Sequence, residues 1–280
     1  MNIIDITDDN IAEYADYLIP DIVENIERDY FRGLLAVDEK DKQPAATMIW
    51  EYKHFEDEDE ETESSILWFS INDEDVGYMI MDAYIKKTWS EGAKRSFYRL
   101  PLGLKKEINV LQAAGFTAEE KESPVRKVTL RELSKLPIAN GNVPRYIVPI
   151  SSLTIEQFRK GILKCASDKR KGLLEDLEFL PMNWYDKDVS SCVLTENGIN
   201  GFLLVNHTAS GRIVVDLLLA YEPEAGQNLI HMMNLSLKKA LKKYSKDTIV
   251  KLVIHNEVSE ALIKKLFPNK RGKMCIMGER

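Results

Sequence analysis

The chain has 280 residues, 44% hydrophobic and 30% charged, which allows one large domain or two of about 100–150 residues and excludes a disordered polypeptide. Its net charge of -7 disfavours an extended nucleic-acid or anionic-membrane surface, and no apolar stretch approaches the ~20 residues of a membrane span. Cys165, Cys192 and Cys275 lie far apart with no CxxC pair, and the N-terminus has no basic segment followed by an apolar core; both point to a soluble protein of a reducing cytoplasm.

In chain order, Asn2–Ile6 reads as a short strand, and the side chains of Thr7, Asp8, Asp9 and Asn10 as caps for a helix through Leu18. Pro20 opens a second helix, expected to end by Gly33; Leu34–Val37, a polar turn and Ala45–Tyr52 then form a hairpin. After the acidic run Glu56–Glu63 comes Ile66–Ile71, an apolar run that suits the centre of a sheet. From Asp73 the period becomes helical, with Val76, Met79, Ile80, Ala83 and Lys87 on one face. A strand at Ser96–Leu100, a helix at Leu104–Ala114, Gly115 as its C-cap and an extended stretch to Leu130 complete the unit.

The Pro/Gly/Asn stretch Leu136–Arg145 punctuates the chain, and the same order of elements begins again. Thr154 and Gln157 form a capping box, with Leu153 and Phe158 spaced as a hydrophobic staple, and a further helix is expected around Lys171–Leu180. Ser190–Glu196 and Gly201–Asn206 read as a hairpin, followed by the apolar strand Ile213–Ala220. A long amphipathic helix then places Leu229, Met233, Leu237, Ala240, Leu241 and Tyr244 inward and the lysines between Lys238 and Lys246 largely outward. Thr248–Ile254 is a strand, Asn256 caps a helix, and Lys273–Met277 is the last strand. The expected domains are 1–136 and 146–280 with 137–145 as linker, each an α/β unit with a mixed central sheet flanked by helices. Strands joined through helices run parallel, so Ile66–Ile71 should neighbour Ser96–Leu100, and Ile213–Ala220 should neighbour Thr248–Ile254. Ligands of such sheets bind at the carboxyl ends of these strands.

A unit ordered βααβββαβαβ resembles the GNAT superfamily of acyl-coenzyme A dependent N-acyltransferases, and each half resembles one copy. VLQAAGF at Val110–Phe116, AYEPEAGQNLI at Ala220–Ile230 and HNEVSEALIKKLF at His255–Phe267 carry the resemblance. It implies acetyl-CoA or another acyl-CoA as co-substrate without a metal, and a small-molecule or peptide amine as acceptor. Neither nucleic acid nor membrane is an expected partner, and a homodimer stays open. It also implies a Gln/Arg-x-x-Gly-x-Gly/Ala loop whose N–H groups hold the coenzyme pyrophosphate at a helix N-terminus. The second half offers Glu224, Ala225, Gly226, Gln227 and Asn228 there; the first offers Asp73, Glu74, Asp75, Val76 and Gly77, whose carboxylates repel a pyrophosphate. The second half is the expected binding half, with Leu219, Ala220, Gly226, Gln227, Asn228 and Asn256 against the coenzyme.

The family's general acid, a tyrosine seven residues beyond an asparagine, falls on Ile263 after Asn256, and on Leu111 in the first half. Asp216 occupies roughly the place of the family's acidic base, where an apolar strand would raise a carboxylate's pKa; an edge-facing structural role is the alternative. Tyr221 either replaces the missing acid or is half-buried packing, and His255 either faces the acceptor cleft or caps the next helix. His54, His207, His231 and His255 show no metal-ligand spacing. The run Glu56–Glu63 is a solvated loop, or a lure for a cationic amine if it overhangs a cleft. Three functions stay open. One is an N-acyltransferase working by direct attack, with Asp216, Tyr221 and His255 at the reaction centre. The second is a non-catalytic tandem binding protein, and the third, more remote, an aminoacyl transferase of the Fem type.

Overall fold

The computed structural model describes residues 1–26, 30–40, 42–53, 62–167, 180–221, 224–254 and 257–280, with the side chains of 257–259 left aside. It divides the chain into two compact units, Met1–Ser123 with Lys273–Arg280, and Pro124–Gly272. The first unit holds β1 (Asn2–Asp5), α1 (Ile11–Tyr14), α2 (Pro20–Asn25), β2 (Phe31–Val37), β3 (Pro44–Lys53), β4 (Glu63–Ile71), α3 (Glu74–Ser90), β5 (Arg95–Pro101), α4 (Lys105–Ala113) and β6 (Glu119–Glu122). The second holds β7 (Val125–Thr129), α5 (Leu130–Leu133), β8 (Ile147–Pro149), α6 (Ile155–Ala166), β9 (Ser191–Thr195), β10 (Gly198–His207), β11 (Ile213–Ala220), α7 (Ala225–Lys243), β12 (Ile249–Val253) and α8 (Glu257–Leu266). The chain then returns to the first unit as β13 (Met274–Glu279).

Both sheets are mixed. Among the described residues the first runs β1-β2-β3-β4-β5-β13-β6 and the second β7-β12-β11-β10-β9-β8. The final strand therefore does not close the second half, as its sequence order suggests; it lies antiparallel between β5 and β6. The place it vacates beside β12 is taken by β7, cut from the extended stretch that the sequence assigns wholly to the first half. Each sheet needs one antiparallel strand beside its second parallel strand, and a ladder accepts any extended segment that completes its hydrogen bonds. The expected linker 137–145 lies inside the second unit, where Asn234 Nδ2 (2.9 Å) and Lys238 Nζ (2.8 Å) both donate to the Gly141 carbonyl.

Each sheet buries both faces. In the first, Trp50, Ile80, Tyr84 and Val110 form the core under α3 and α4, and Ile22, Leu35 and Ile49 form that under α1 and α2. In the second, Met232, Leu237, Val205 and Ile213 pack under α7, and Phe158, Ile162, Phe202 and Leu204 under α6. The capping box of Thr154 and Gln157 starts α6, and Leu153 and Phe158 are both buried beneath it. Two expectations shift. Gly33 sits inside β2 rather than ending a helix: a Cβ there would lie 2.7 Å from the Ile6 side chain and 2.8 Å from that of Ile49, so the glycine admits a close approach. On α3 the buried stripe is Val76, Gly77, Ile80, Met81, Tyr84 and Thr88, and Met79 is exposed, because the packing of α4 against Gly77 rotates the inward face.

Candidate active site

In the second unit β11 and β12 pair in parallel only from Ile213 to Val215 against Val250 to Leu252. Beyond that point β11 continues against β10 to Ala220 and β12 continues against β7 to Val253, so the strands part like the arms of a fork. The cause is visible in the register. Leu204 faces Leu217 while Val205 faces Val215, which makes Asp216 the extra residue of a β-bulge on β11. A bulge bends its strand and re-aims the extra side chain. Asp216 is half-buried, and its charge reaches the Tyr185 phenol on the α6 side of the sheet.

Strand alternation also aims a backbone donor into the gap. The Tyr221 N–H bonds the Asn200 carbonyl on β10 at 3.0 Å, so the N–H of Ala220, one residue earlier, turns toward the open side of the fork. Leu219 and Ala220 are both buried, on opposite faces of the sheet. Tyr221 is tied back to α6: its hydroxyl donates to the Lys164 carbonyl (3.3 Å) and Lys164 Nζ stands 4.4 Å from the ring centroid. The phenol picked from sequence to replace the missing acid is thus engaged in packing and hydrogen bonding. His255 and Asn256 lie outside the described residues, as do most of the acidic run and the helix expected at Lys171–Leu180.

The start of α7 presents the N–H groups of Ala225, Gly226 and Gln227 with no acid in the first helical turn and no side-chain cap. Among the described residues nothing lies within 4 Å of a Cβ built on Gly226. Gln227 is exposed and meets His231 at 3.3 Å, whereas Asn228 is buried with an Oδ1 that has no partner among the described residues. Glu224, at the N-cap, holds φ 68° and ψ 19°, the left-handed region where glycine is at ease. Glu224→Gly is expected to raise stability by up to about 1 kcal/mol and, by removing a carboxylate from the positive end of a helix, to tighten binding of acetyl-CoA roughly two- to fivefold; paired melts and titrations check both.

The first unit carries the same fork and closes it. β4 and β5 pair in parallel from Glu63 to Ile66 against Arg95 to Tyr98, and Leu67 is the extra residue of the bulge, opposite Ile49 and Trp50. The Ile71 N–H, the counterpart of that of Ala220, is taken by Glu107 Oε1 of α4 at 3.3 Å. Lys106 Nζ bonds the Asn72 carbonyl at 2.7 Å and Asn109 bonds Glu74 at 2.9 Å. A Cβ on Gly77 would lie 2.8 Å from both Ile71 and Val110, so side chains fill the gap. The helix end is occupied as well, since Asp73 Oδ1 accepts the Val76 N–H at 3.0 Å.

No protein-family description matches the sequence, and no curated protein does. Solved structures do. A GCN5-related N-acetyltransferase from Sphaerobacter thermophilus is similar over 99% of this chain and 95% of its own, at 10% identity and a TM-score of 0.55. A tandem GNAT protein from the clavulanic acid biosynthesis pathway is similar over 100% of this chain and 98% of its own, at 7% identity and a TM-score of 0.67. This is a tandem GNAT fold. A GCN5-related N-acetyltransferase from Kribbella flavida matches 84% of the chain and 86% of its own at 11% identity, with a TM-score of 0.51.

Within this tandem GNAT fold, and among the described residues, the second unit has a carboxylate at its bulge and no side chain bonded to the Ala220 N–H, whereas the first has Leu67 and Glu107 in those places. On β9, burial pushes the Cys192 thiol up to about 12, which disfavours it as a nucleophile. Among the described residues no group of three or more His, Cys, Asp or Glu is placed to hold a metal, and no helix is long and apolar enough to cross a membrane. Neither Glu107, which shuts the first fork, nor Tyr185, buried in the α6-side core of the second unit, belongs to a sequence motif. Only the crossing of distant segments makes them visible.

Proposed function

We propose that the second unit is an N-acyltransferase that moves an acetyl or other acyl group from acyl-CoA to an amine by direct attack, in the cytoplasm. The observation that carries this reading is the contrast between the forks: the first is packed shut with Leu67 at its bulge, whereas the second has Asp216 at its bulge and, among the described residues, no side chain across it. Acyl-CoA supplies an acyl group already activated as a thioester. The first-turn N–H groups of α7, around Gly226, suit its pyrophosphate, and Leu219 and Ala220 line its path along β11. The Ala220 N–H is a donor for an acyl oxygen as negative charge builds on it. Asp216 accepts the proton of the attacking amine, directly or through a water. Asn256 keeps the coenzyme-binding role that the resemblance implies, and His255 the reaction-centre role read from its place in the sequence. The acceptor is a small-molecule or peptide amine, and two copies of the chain forming a dimer would be compatible with it.

Calorimetric titration with acetyl-CoA tests the reading. Saturable binding is expected, lost in Gly226→Asp, where a carboxylate enters the N-terminal end of α7. Silence of the native chain at millimolar acetyl-CoA would move the protein to the second reading, a non-catalytic tandem GNAT-fold binding protein. That reading is favoured by one observation, the Tyr221 hydroxyl committed to α6 while Ile263 stands where the family has its acid. Dependence on charged tRNA would single out the Fem-type alternative.

A further inference from the structure

Tyr185 is 2% exposed, and its hydroxyl has no hydrogen-bond partner among the described residues. A buried unsatisfied hydroxyl is costly, and native proteins seldom leave one without a use. Its mounting is rigid and specific. The Asp186 N–H bonds the Val205 carbonyl at 2.8 Å, and Val205 is the β10 residue that faces the bulge on β11. The Asp186 carboxylate, turned the other way, receives the Tyr244 hydroxyl and, at 2.9 Å, Lys243 Nζ from the end of α7. This clamp holds the Tyr185 ring in the α6-side layer with Leu204 and Leu217, the register pair on one side of the bulge, and against Phe158 at 6.2 Å.

We propose that Tyr185, rather than Tyr221, is the phenol of the reaction centre, and that the acceptor amine satisfies its hydroxyl and is thereby oriented against Asp216. The assignment rests on the acyltransferase reading above and names the second polar contact its acceptor makes. A primary amine donates one N–H to the phenol oxygen and one to the Asp216 carboxylate. Its lone pair forms the bond to the thioester carbon, the C–S bond breaks with its electron pair going to sulfur, and the amine proton passes to Asp216. That proton returns to the thiolate on release, so the products are an amide and a thiol. Tyr185 keeps its own proton throughout, because burial, and after it the charge of Asp216, hold the phenol well above the usual tyrosine range. The phenol is an acceptor and positioning group at the amine, and acts as neither acid nor base.

The test is Tyr185→Phe, which removes one oxygen and keeps the ring. Thiol release is followed with acetyl-CoA and three amine probes: spermidine, tyramine and an alanine-started pentapeptide. The expected result is a KM for the amine raised about 10- to 100-fold, an unchanged Kd for acetyl-CoA, and a Tm higher by about 2–4 °C, because an orphan polar group has left the core. A Tm that falls means the hydroxyl has an internal partner, and overturns the assignment. So does an amine KM within twofold of native. A native chain that binds acetyl-CoA but releases no thiol with any probe overturns the amine seat and leaves the ligand-binding reading standing; one that binds no acetyl-CoA takes both down.

Discussion

Asp216→Asn is expected to lower turnover by about 100- to 1,000-fold while leaving the affinity for acetyl-CoA within about twofold. Asparagine has nearly the shape of aspartate and preserves the bulge, but its amide cannot take a proton from an attacking amine. The position is informative because the fold repeats it. In the first unit the extra residue of the equivalent bulge is Leu67, exposed and chemically inert, so the bulge itself needs no carboxylate to form. If Asp216 were only a structural residue of its strand, the substitution would appear in Tm and leave turnover untouched. Single-turnover rates with acetyl-CoA at saturation, together with a melt, separate the two outcomes.

Gly278→Ala is expected to destabilise the first unit by at least about 3 kcal/mol, a fall in the Tm of its transition of about 10 °C. Gly278 lies on β13, the strand that returns from the C-terminus to complete the first sheet. A Cβ there would stand 1.8 Å from the Thr117 carbonyl oxygen and 2.5 Å from the Tyr98 ring. The obstacle is mostly backbone. Thr117 cannot give way, since its N–H bonds the Glu279 carbonyl at 2.9 Å and its carbonyl accepts the Tyr98 hydroxyl at 2.8 Å. β13 must therefore shift in its slot between β5 and β6. Scanning calorimetry decides the matter: a transition within 2 °C of native would mean that the last strand is not held where the register places it.

Much of the architecture was legible because it is local. The Thr154–Gln157 capping box, Gly115 at φ 92°, the turn at Gly198 at φ 104° and the apolar runs of β4 and β11 are each decided by a few neighbouring residues. The recurrence of element order was enough to suggest two copies of one fold, and the acids at the start of α3 are where the sequence places them, in the first turn behind the Asp73 cap. The positions of Ala220 and Asp216 on a strand and of Gly226 at a helix start were legible for the same reason.

What stayed hidden is what two distant segments decide together. The pattern of β13 does not say which sheet it joins, because alternation specifies faces and leaves the ladder partner open; the chain ends up exchanging strands at 123–124 and 272–273 rather than dividing at 136–145. The bulge at Asp216 exists only in register with Leu204 and Val205, and the closing of the first fork exists only because α4 brings Glu107 to the Ile71 N–H. The sequence by itself determined the two-unit plan, the elements and the half in which to look. Tertiary structure alone decided which strand completes each sheet, which fork Glu107 closes and which phenol is buried without a partner among the described residues, since hydrogen-bond pairing and burial across more than a hundred residues of chain are settled only when the segments meet.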